Sequence, residues 1–323
     1  MSRILVSGLI NVETTLKVDS FPLAYEPVRY PFWGVNSTVS GVGYNVAKAL
    51  TTLGDDVRFL SLVGRDLWGQ GVIQTLAEAH IPANDVLPQL AQTAQSVILY
   101  EPSGRRQIHV DLKDVQEQVY PPERFDAALA GCDLAVLCNV NFSRPFLARA
   151  QQAGVPIATD VHTVHALEDP YNSDFMAAAH VLFMSNEKLP CPPEEWARRV
   201  QGRYGTAVLV IGLGAEGALL AVQADGFLER ITAVTTRPVV NTIGAGDALF
   251  SAFVHSYSQS GDPYAAIRRA VVFASYKIGE TGAAQGFLTA VELEAWLAHL
   301  NDPTSPRNDP TSPRNDPTSH RND

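Results

Sequence analysis

Unbroken apolar runs alternate with helix-patterned stretches along most of this chain, and that alternation admits few architectures. Ala207-Val208-Leu209-Val210-Ile211 carries no polar residue at any second position, as expected of a strand buried on both faces. Ile4–Ile10, Val57–Val63, Leu134–Cys138, Pro156–Ala158, Val181–Met184 and Ala207–Gly212 read as buried strands. Between them, Val42–Leu53, Gly69–Ala79, Arg144–Ala153 and Glu194–Arg203 have helical spacing. Strand–helix–strand order demands right-handed crossovers and a mostly parallel sheet with helices on both faces, a three-layer α/β/α domain.

Two segments break the alternation. Thr14–Ser40 is rich in Pro, Tyr and Phe, and Ser96–Glu101, Pro102-Ser103-Gly104 and Arg106–Val110 read as a β-hairpin. Both fit a small sheet standing off the main domain, or ordinary edge strands. The tail from Asn301 repeats Asn-Asp-Pro-Thr-Ser-Pro-Arg with no apolar pair to bury, so residues 299–323 are expected to be a disordered appendage and 1–298 the folded domain. A formal charge of −10 over 323 residues leaves no basic stripe for nucleic acid. No apolar run reaches the ~18–20 residues that span a bilayer. Met1-Ser2-Arg3 leads straight into a strand-like run, so no signal peptide is expected, and three spaced cysteines (Cys132, Cys138, Cys191) suit reduced thiols in the cytoplasm.

The chemistry concentrates in Asn241-Thr242-Ile243-Gly244-Ala245-Gly246-Asp247, followed by the helix-patterned Leu249, Phe250, Phe253 and Val254. A glycine turn opening a helix offers free N–H groups and a dipole to an anion. A carboxylate there would be repelled by a bound phosphate, so Asp247 reads either as the base that deprotonates an attacking hydroxyl or as a plain helix-start Asp. With Gly244 making the turn, the N–H groups of Ala245, Gly246 and Asp247 are the anion-hole candidates. No Gly-Lys-Ser/Thr follows, so this is not a Walker-A loop.

The Asn241–Asp247 segment resembles the signature of the ribokinase-like (PfkB) carbohydrate kinase family. Gly41-Val42-Gly43-Tyr44-Asn45-Val46-Ala47, Gly64-Arg65-Asp66-Leu67-Trp68-Gly69, Gly8–Val12, Asn186-Glu187, Gly212–Gly217 and Ala274–Gly286 match its other landmarks in order, over roughly residues 4–290. The resemblance implies ATP-dependent phosphorylation of a hydroxymethyl group on a sugar or sugar-like small molecule, with a β-sheet lid from about 12–40 and 96–113 and pairing of lids into a homodimer. It implies Asp247 as general base, and Asn11, Glu13, Gly41, Gly43 and Asn45 at the acceptor; on the hairpin, Arg106 offers a guanidinium to a phosphate- or carboxylate-bearing sugar or is a solvated edge arginine. It implies Asn186, Gly212, Gly214, Gly217 and Thr242 at the nucleotide, with Mg²⁺ and a monovalent cation (K⁺) as cofactors.

Several positions depart from the family pattern. Glu13 stands where many members carry Asp, which moves the carboxylate outward by more than ~1 Å. Leu189 occupies the place of a Glu that organises Mg²⁺ waters, leaving Glu187 as a possible metal substitute. Asn241 replaces an Asp beside the implied K⁺ site. His162, His165 and Asp160 read as pocket wall rather than metal ligands. A nucleoside kinase, a sugar- or nucleotide-sensing homologue, and a dehydrogenase resting on the Gly212–Gly217 spacing are the competing readings. The last needs a helix where Ala218-Leu219-Leu220 suggests a strand.

Overall fold

The computed structural model describes residues 1–301. Thirteen strands run β1 Arg3–Ser7, β2 Asn11–Lys17, β3 Val35–Ser40, β4 Asp56–Gly64, β5 Val86–Leu90, β6 Gln95–Tyr100, β7 Arg106–Asp111, β8 Leu134–Leu137, β9 Ile157–Asp160, β10 Val181–Ser185, β11 Val208–Gly212, β12 Ala218–Val222 and β13 Phe227–Ile231. Nine helices run α1 Val42–Thr52, α2 Leu67–Glu78, α3 Pro122–Leu129, α4 Phe146–Gln152, α5 Ser173–Ala178, α6 Pro193–Tyr204, α7 Ala245–Ser260, α8 Pro263–Lys277 and α9 Ala290–Asn301. Helix α9 crosses the expected boundary at 298; the rest of the proposed tail, 302–323, lies outside the described residues.

The main sheet has the order β13-β12-β11-β10-β9-β8-β1-β4-β5. It is parallel from β11 to β5, and β12 and β13 add antiparallel to one edge. The apolar runs make this possible, because neighbouring side chains of one strand enter different cores. Ile4 and Val6 of β1 face one core while Leu5 faces the other; Val208 and Val210 of β11 oppose Leu209 and Ile211 in the same way. Helices α1, α2, α7, α8 and α9 cover the first face, and α3–α6 the second. Phe250 and Phe253 of α7 pack on Phe183 with ring centroids 4.9 and 5.2 Å away, seating that helix on β10. Full burial of each ring is worth about 1.5–3 kcal/mol.

One expected strand divides. The Ile4–Ile10 run ends as a main-sheet strand at Ser7, and from Asn11 the chain enters a second sheet ordered β3-β2-β6-β7. Only glycine fits at the break: a Cβ at Gly8 would lie 2.5 Å from Cys138 Sγ and 2.8 Å from Gly43 Cα. Asp66 ties the two sheets together. It caps α2 by accepting from Gly69 N–H (2.8 Å) and also holds Thr93 N–H (2.9 Å) and Thr93 Oγ (2.6 Å), just ahead of β6. Burial pushes the Asp66 carboxyl up, but the Thr93 and Gly69 donors outweigh it and hold it below its ordinary value. Pairing register gives the small sheet an inner face carrying Asn11, Glu13, Ser96, Ile98 and Arg106.

Candidate active site

Helix α7 begins at Ala245, so Asp247 lies inside its first turn and not ahead of it. Gly244 caps the helix in the left-handed region (φ 74°, ψ 11°), and a Cβ there would meet the Ala283 carbonyl oxygen at 2.7 Å. Of the three proposed anion-hole donors, Ala245 N–H is drawn into a turn with Thr242 O at 3.3 Å. The first intrahelical bond is Ala248 N–H to Gly244 O (3.0 Å). The N–H groups of Gly246 and Asp247 therefore keep no partner among the described residues, as expected of a helix start that holds an anion.

Asn45, on the first turn of α1, donates from Nδ2 to Asp247 Oδ2 at 2.6 Å. Ser40 Oγ bridges onward, 3.0 Å from Glu13 Oε2 and 3.3 Å from Asn45 Oδ1. A polar chain thus links lid strand β2 to the α7 terminus through Glu13, Ser40, Asn45 and Asp247, which are distant in sequence. Burial drives the Asp247 carboxyl above its ordinary value; the Asn45 hydrogen bond and His162 oppose that, Asp160 adds to it, and Lys277 opposes it. Glu13 is raised by burial, with Ser40 pulling it down and Asp247 pushing it up. A raised carboxylate titrates closer to neutrality and is the better proton acceptor for it.

Two buried acceptors on the inner lid face, Asn11 Oδ1 and Glu13 Oε1, have no hydrogen-bond partner among the described residues, although Ala283 N–H weakly favours the Glu13 charge. Asn11 Nδ2 is used on Ser96 Oγ (3.1 Å). Buried lone pairs left open ask for O–H or N–H donors. Arg106 reaches from β7 to Thr242 Oγ at 2.7 Å, so the lid touches the α7 loop.

Gly41 and Gly43 also serve the packing of the fold. A Cβ at Gly41 would lie 2.6 Å from Leu9 O and one at Gly43 2.5 Å from the Gly8 carbonyl carbon. These glycines let α1 sit directly on the β1–β2 junction, and that contact aims Asn45 at Asp247. Gly217 is similar: its φ is 102°, and a Cβ would fall 2.1 Å from Ile231 O. Gly212 ends β11, and Gly214 opens a short 3₁₀ turn with φ 60°. Antiparallel β12 follows instead of a helix, so the Gly212–Gly217 spacing is no dinucleotide fingerprint.

Asn186 and Glu187 follow β10 on the surface, where Asn186 N–H meets Gly212 O (3.0 Å), while Leu189 packs into the second core. Among the described residues no three His, Cys, Asp or Glu side chains gather to hold a metal ion. Glu187 thus has no protein ligand set around it, and a Mg²⁺ held largely by nucleotide phosphates fits better than one caged by side chains. Cys138 is fully buried, and burial plus the charges of Asp247 and Asp160 push its thiol far up. Asp160 Oδ1 accepts His162 N–H at 2.8 Å, and both residues act electrostatically on Asp247. Asp247 lines neither of two surface concavities of about 390 and 320 Å³; the second is walled by Thr38, Tyr44, Lys48 and Trp68.

The model of the pfkB family carbohydrate kinases matches residues 1–290. The chain belongs to that family. As a carbohydrate kinase it is a phosphotransferase with an alcohol group as acceptor. It is similar to the ATP-dependent ribose-1-phosphate kinase of Halopiger xanaduensis (26% identity, covering 94% of this chain and 99% of that one). It is also similar to the deoxyribokinase of Salmonella typhi (32% identity; 91% and 98%). Among solved structures, a microbiome-derived acarbose kinase superposes with a TM-score of 0.84 (27% identity; 92% and 99%). Sequence reasoning missed Lys277, which ends α8 fully buried with its ammonium donating to Ile243 O. Only the apolar company of Val271, Val272, Phe273 and Ala274 hinted that this turn faces inward.

Proposed function

We propose that this kinase transfers the γ-phosphoryl group of ATP to a hydroxymethyl group of a sugar or sugar-like molecule, with Asp247 as general base. The carrying observation is the part-buried Asp247 carboxylate, held by Asn45 in the same helical turn whose Gly246 and Asp247 N–H groups are free. Asp247 takes the hydroxyl proton as that oxygen attacks the γ-phosphorus, and the bond to the ADP oxygen breaks. The two N–H groups and the helix dipole receive the charge spread over the moving phosphoryl oxygens. Mg²⁺ bound with the nucleotide would supply further charge neutralisation.

Asn11 and Glu13 accept from acceptor hydroxyls through their open lone pairs, Asn45 orients the reacting hydroxyl against Asp247, and Arg106 with Thr242 closes the lid side. Asn186, Gly212 and Gly214 border the nucleotide, with Glu187 near its phosphates, while Gly217 supports their loop. No step is assigned to a monovalent cation. Ile108 (49% exposed) and Val110 (51%) share the inner face of edge strand β7, which is exposed throughout, while Val97 (43%) lies on the opposite face of the sheet; the exposed edge supports pairing of two lids in a homodimer. No helix among the described residues is long and apolar enough to cross a membrane; we assign the kinase to the cytoplasm.

A panel of sugars, sugar acids, sugar phosphates and nucleosides, each with ATP and Mg²⁺ and read by ADP release, tests this reading. Turnover on a sugar-like acceptor is expected. Nucleotide binding without turnover on any acceptor would contradict it in favour of a sensor, and preference for nucleosides would redirect it.

A further inference from the structure

The loop that carries the anion cradle is held from behind by a cation belonging to the chain itself. Lys277 has no exposed surface, and its ammonium donates to the carbonyl of Ile243, the residue before Gly244. Nearby oxygens are engaged as well. Asn241 Oδ1 accepts Ile243 N–H (2.9 Å), and Thr281 O accepts Asn241 Nδ2 (2.8 Å). Ile278 O accepts Val240 N–H (2.8 Å) and Asn241 N–H (3.3 Å). A K⁺ ion is held by several oxygens that together replace its hydration shell. Here those oxygens already carry protein donors, and the buried ammonium fixed on Ile243 O would repel a second cation beside it, so the K⁺ site implied by the family resemblance does not fit this chain.

We infer that the Lys277 ammonium is the resident cation of this site, tethered where a bound ion would otherwise act, and that the kinase needs no monovalent cation. The inference rests on the kinase reading above and deepens it. A buried ammonium needs counter-charge; Asp247 and Glu13 supply it across the site, joined by Glu280, while Arg237 opposes. The bond to Ile243 O fixes the peptide plane entering Gly244. That plane sets the left-handed turn and hence the direction in which Gly246 and Asp247 N–H point. Lys277 is therefore a positioning residue whose charge also favours phosphate in front of the loop.

The test replaces tetramethylammonium chloride stepwise by KCl at constant ionic strength. Turnover is followed with ATP, Mg²⁺ and an acceptor found by the panel, and melting temperature without substrates. Wild-type turnover and melting are expected to stay unchanged. Lys277→Ala opens space beside Ile243 O; it is expected to lose about tenfold or more in turnover. K⁺ or NH₄⁺ is expected to restore most of that loss and to raise the melting temperature of this variant alone. Lys277→Met fills the space without charge and should lose rate that no cation restores. Three results would overturn the assignment: wild-type turnover rising several-fold with K⁺, a folded Lys277→Ala as fast as wild type without added cation, or a loss that neither ion repairs. Should Lys277→Ala fail to fold, the wild-type series alone decides. Absence of turnover on every acceptor would count against the kinase reading, while the melting series still judges Lys277: a K⁺-dependent rise in wild type overturns it, and a rise confined to Lys277→Ala supports it.

Discussion

Gly244→Ala tests whether the α7 terminus must hold its observed shape. Two costs arise. An alanine in the left-handed region costs about 1–2 kcal/mol. Its Cβ would also lie 2.7 Å from Ala283 O and 2.9 Å from Ala283 Cα, both backbone atoms, so one of the two loops must shift. The Gly246 and Asp247 N–H groups travel with the Gly244 side of that contact, and a misplacement of about 1 Å near reacting atoms costs on the order of 10²-fold in rate. Gly261→Ala at the other end of the same helix is the matched control: its φ of 67° and ψ of 6° carry similar strain, but nothing lies within 4 Å of the added methyl. Both variants should melt lower, by about 2–4 °C per kcal/mol of strain. Only Gly244→Ala should lose kcat/KM, by about 10–100-fold. Equal kcat/KM in the two variants, measured by coupled ADP release, would refute the cradle argument.

Glu13→Gln should raise the acceptor KM about tenfold or more, because a charge-assisted hydrogen bond is worth about 1.5–3 kcal/mol, and leave nucleotide affinity unchanged. The same variant carries a pH signature. Glu13 has its folded-state pKa raised above the ordinary 4.5, so the native state binds the proton more tightly and wild-type stability falls as pH rises through that window. Glu13→Gln should therefore melt above wild type at pH 8, with the gain vanishing toward pH 4; a constant difference would contradict the burial argument. Burial pushes Lys277 down to about 8 against the pull of Asp247, Glu13 and Glu280. Wild-type turnover should accordingly decline above pH 8, with a limb that Lys277→Met lacks; identical profiles would remove Lys277 from the site. Arg106→Ala breaks an exposed contact to Thr242 and should cost about 3–30-fold in kcat/KM, roughly the range of a partly screened charged hydrogen bond, with little change in melting.

The two-faced core was legible because strands such as Val208–Ile211 are apolar at every position, and only a sheet covered on both faces buries them all. The α7 terminus was legible because glycines and an Asp before an apolar helix have few uses. What was not legible depends on contacts between distant segments. Local pattern does not reveal that Cys138 and Gly43 approach Gly8 so closely at the break between the two sheets. The spacing of Gly41 and Gly43 suggested ligand approach, but not that their missing side chains also make room for the backbone of Gly8 and Leu9. The link from Glu13 through Ser40 and Asn45 to Asp247 joins residues up to 202 apart in one hydrogen bond. Lys277 ends a helix, where a cation is ordinary, and its burial against Ile243 emerges only when α8 packs.

Asp247→Asn tests the central claim most directly. The substitution keeps the shape, the helix start and a carbonyl oxygen for Asn45, and removes proton acceptance. Turnover should fall by about 10²–10⁴-fold. ATP should bind as well or more tightly, since a negative charge beside the phosphates has gone. The melting temperature at pH 8 should hold or rise, because a carboxyl raised by burial no longer has to be ionised. Near wild-type turnover under conditions where chemistry limits the rate would contradict the account.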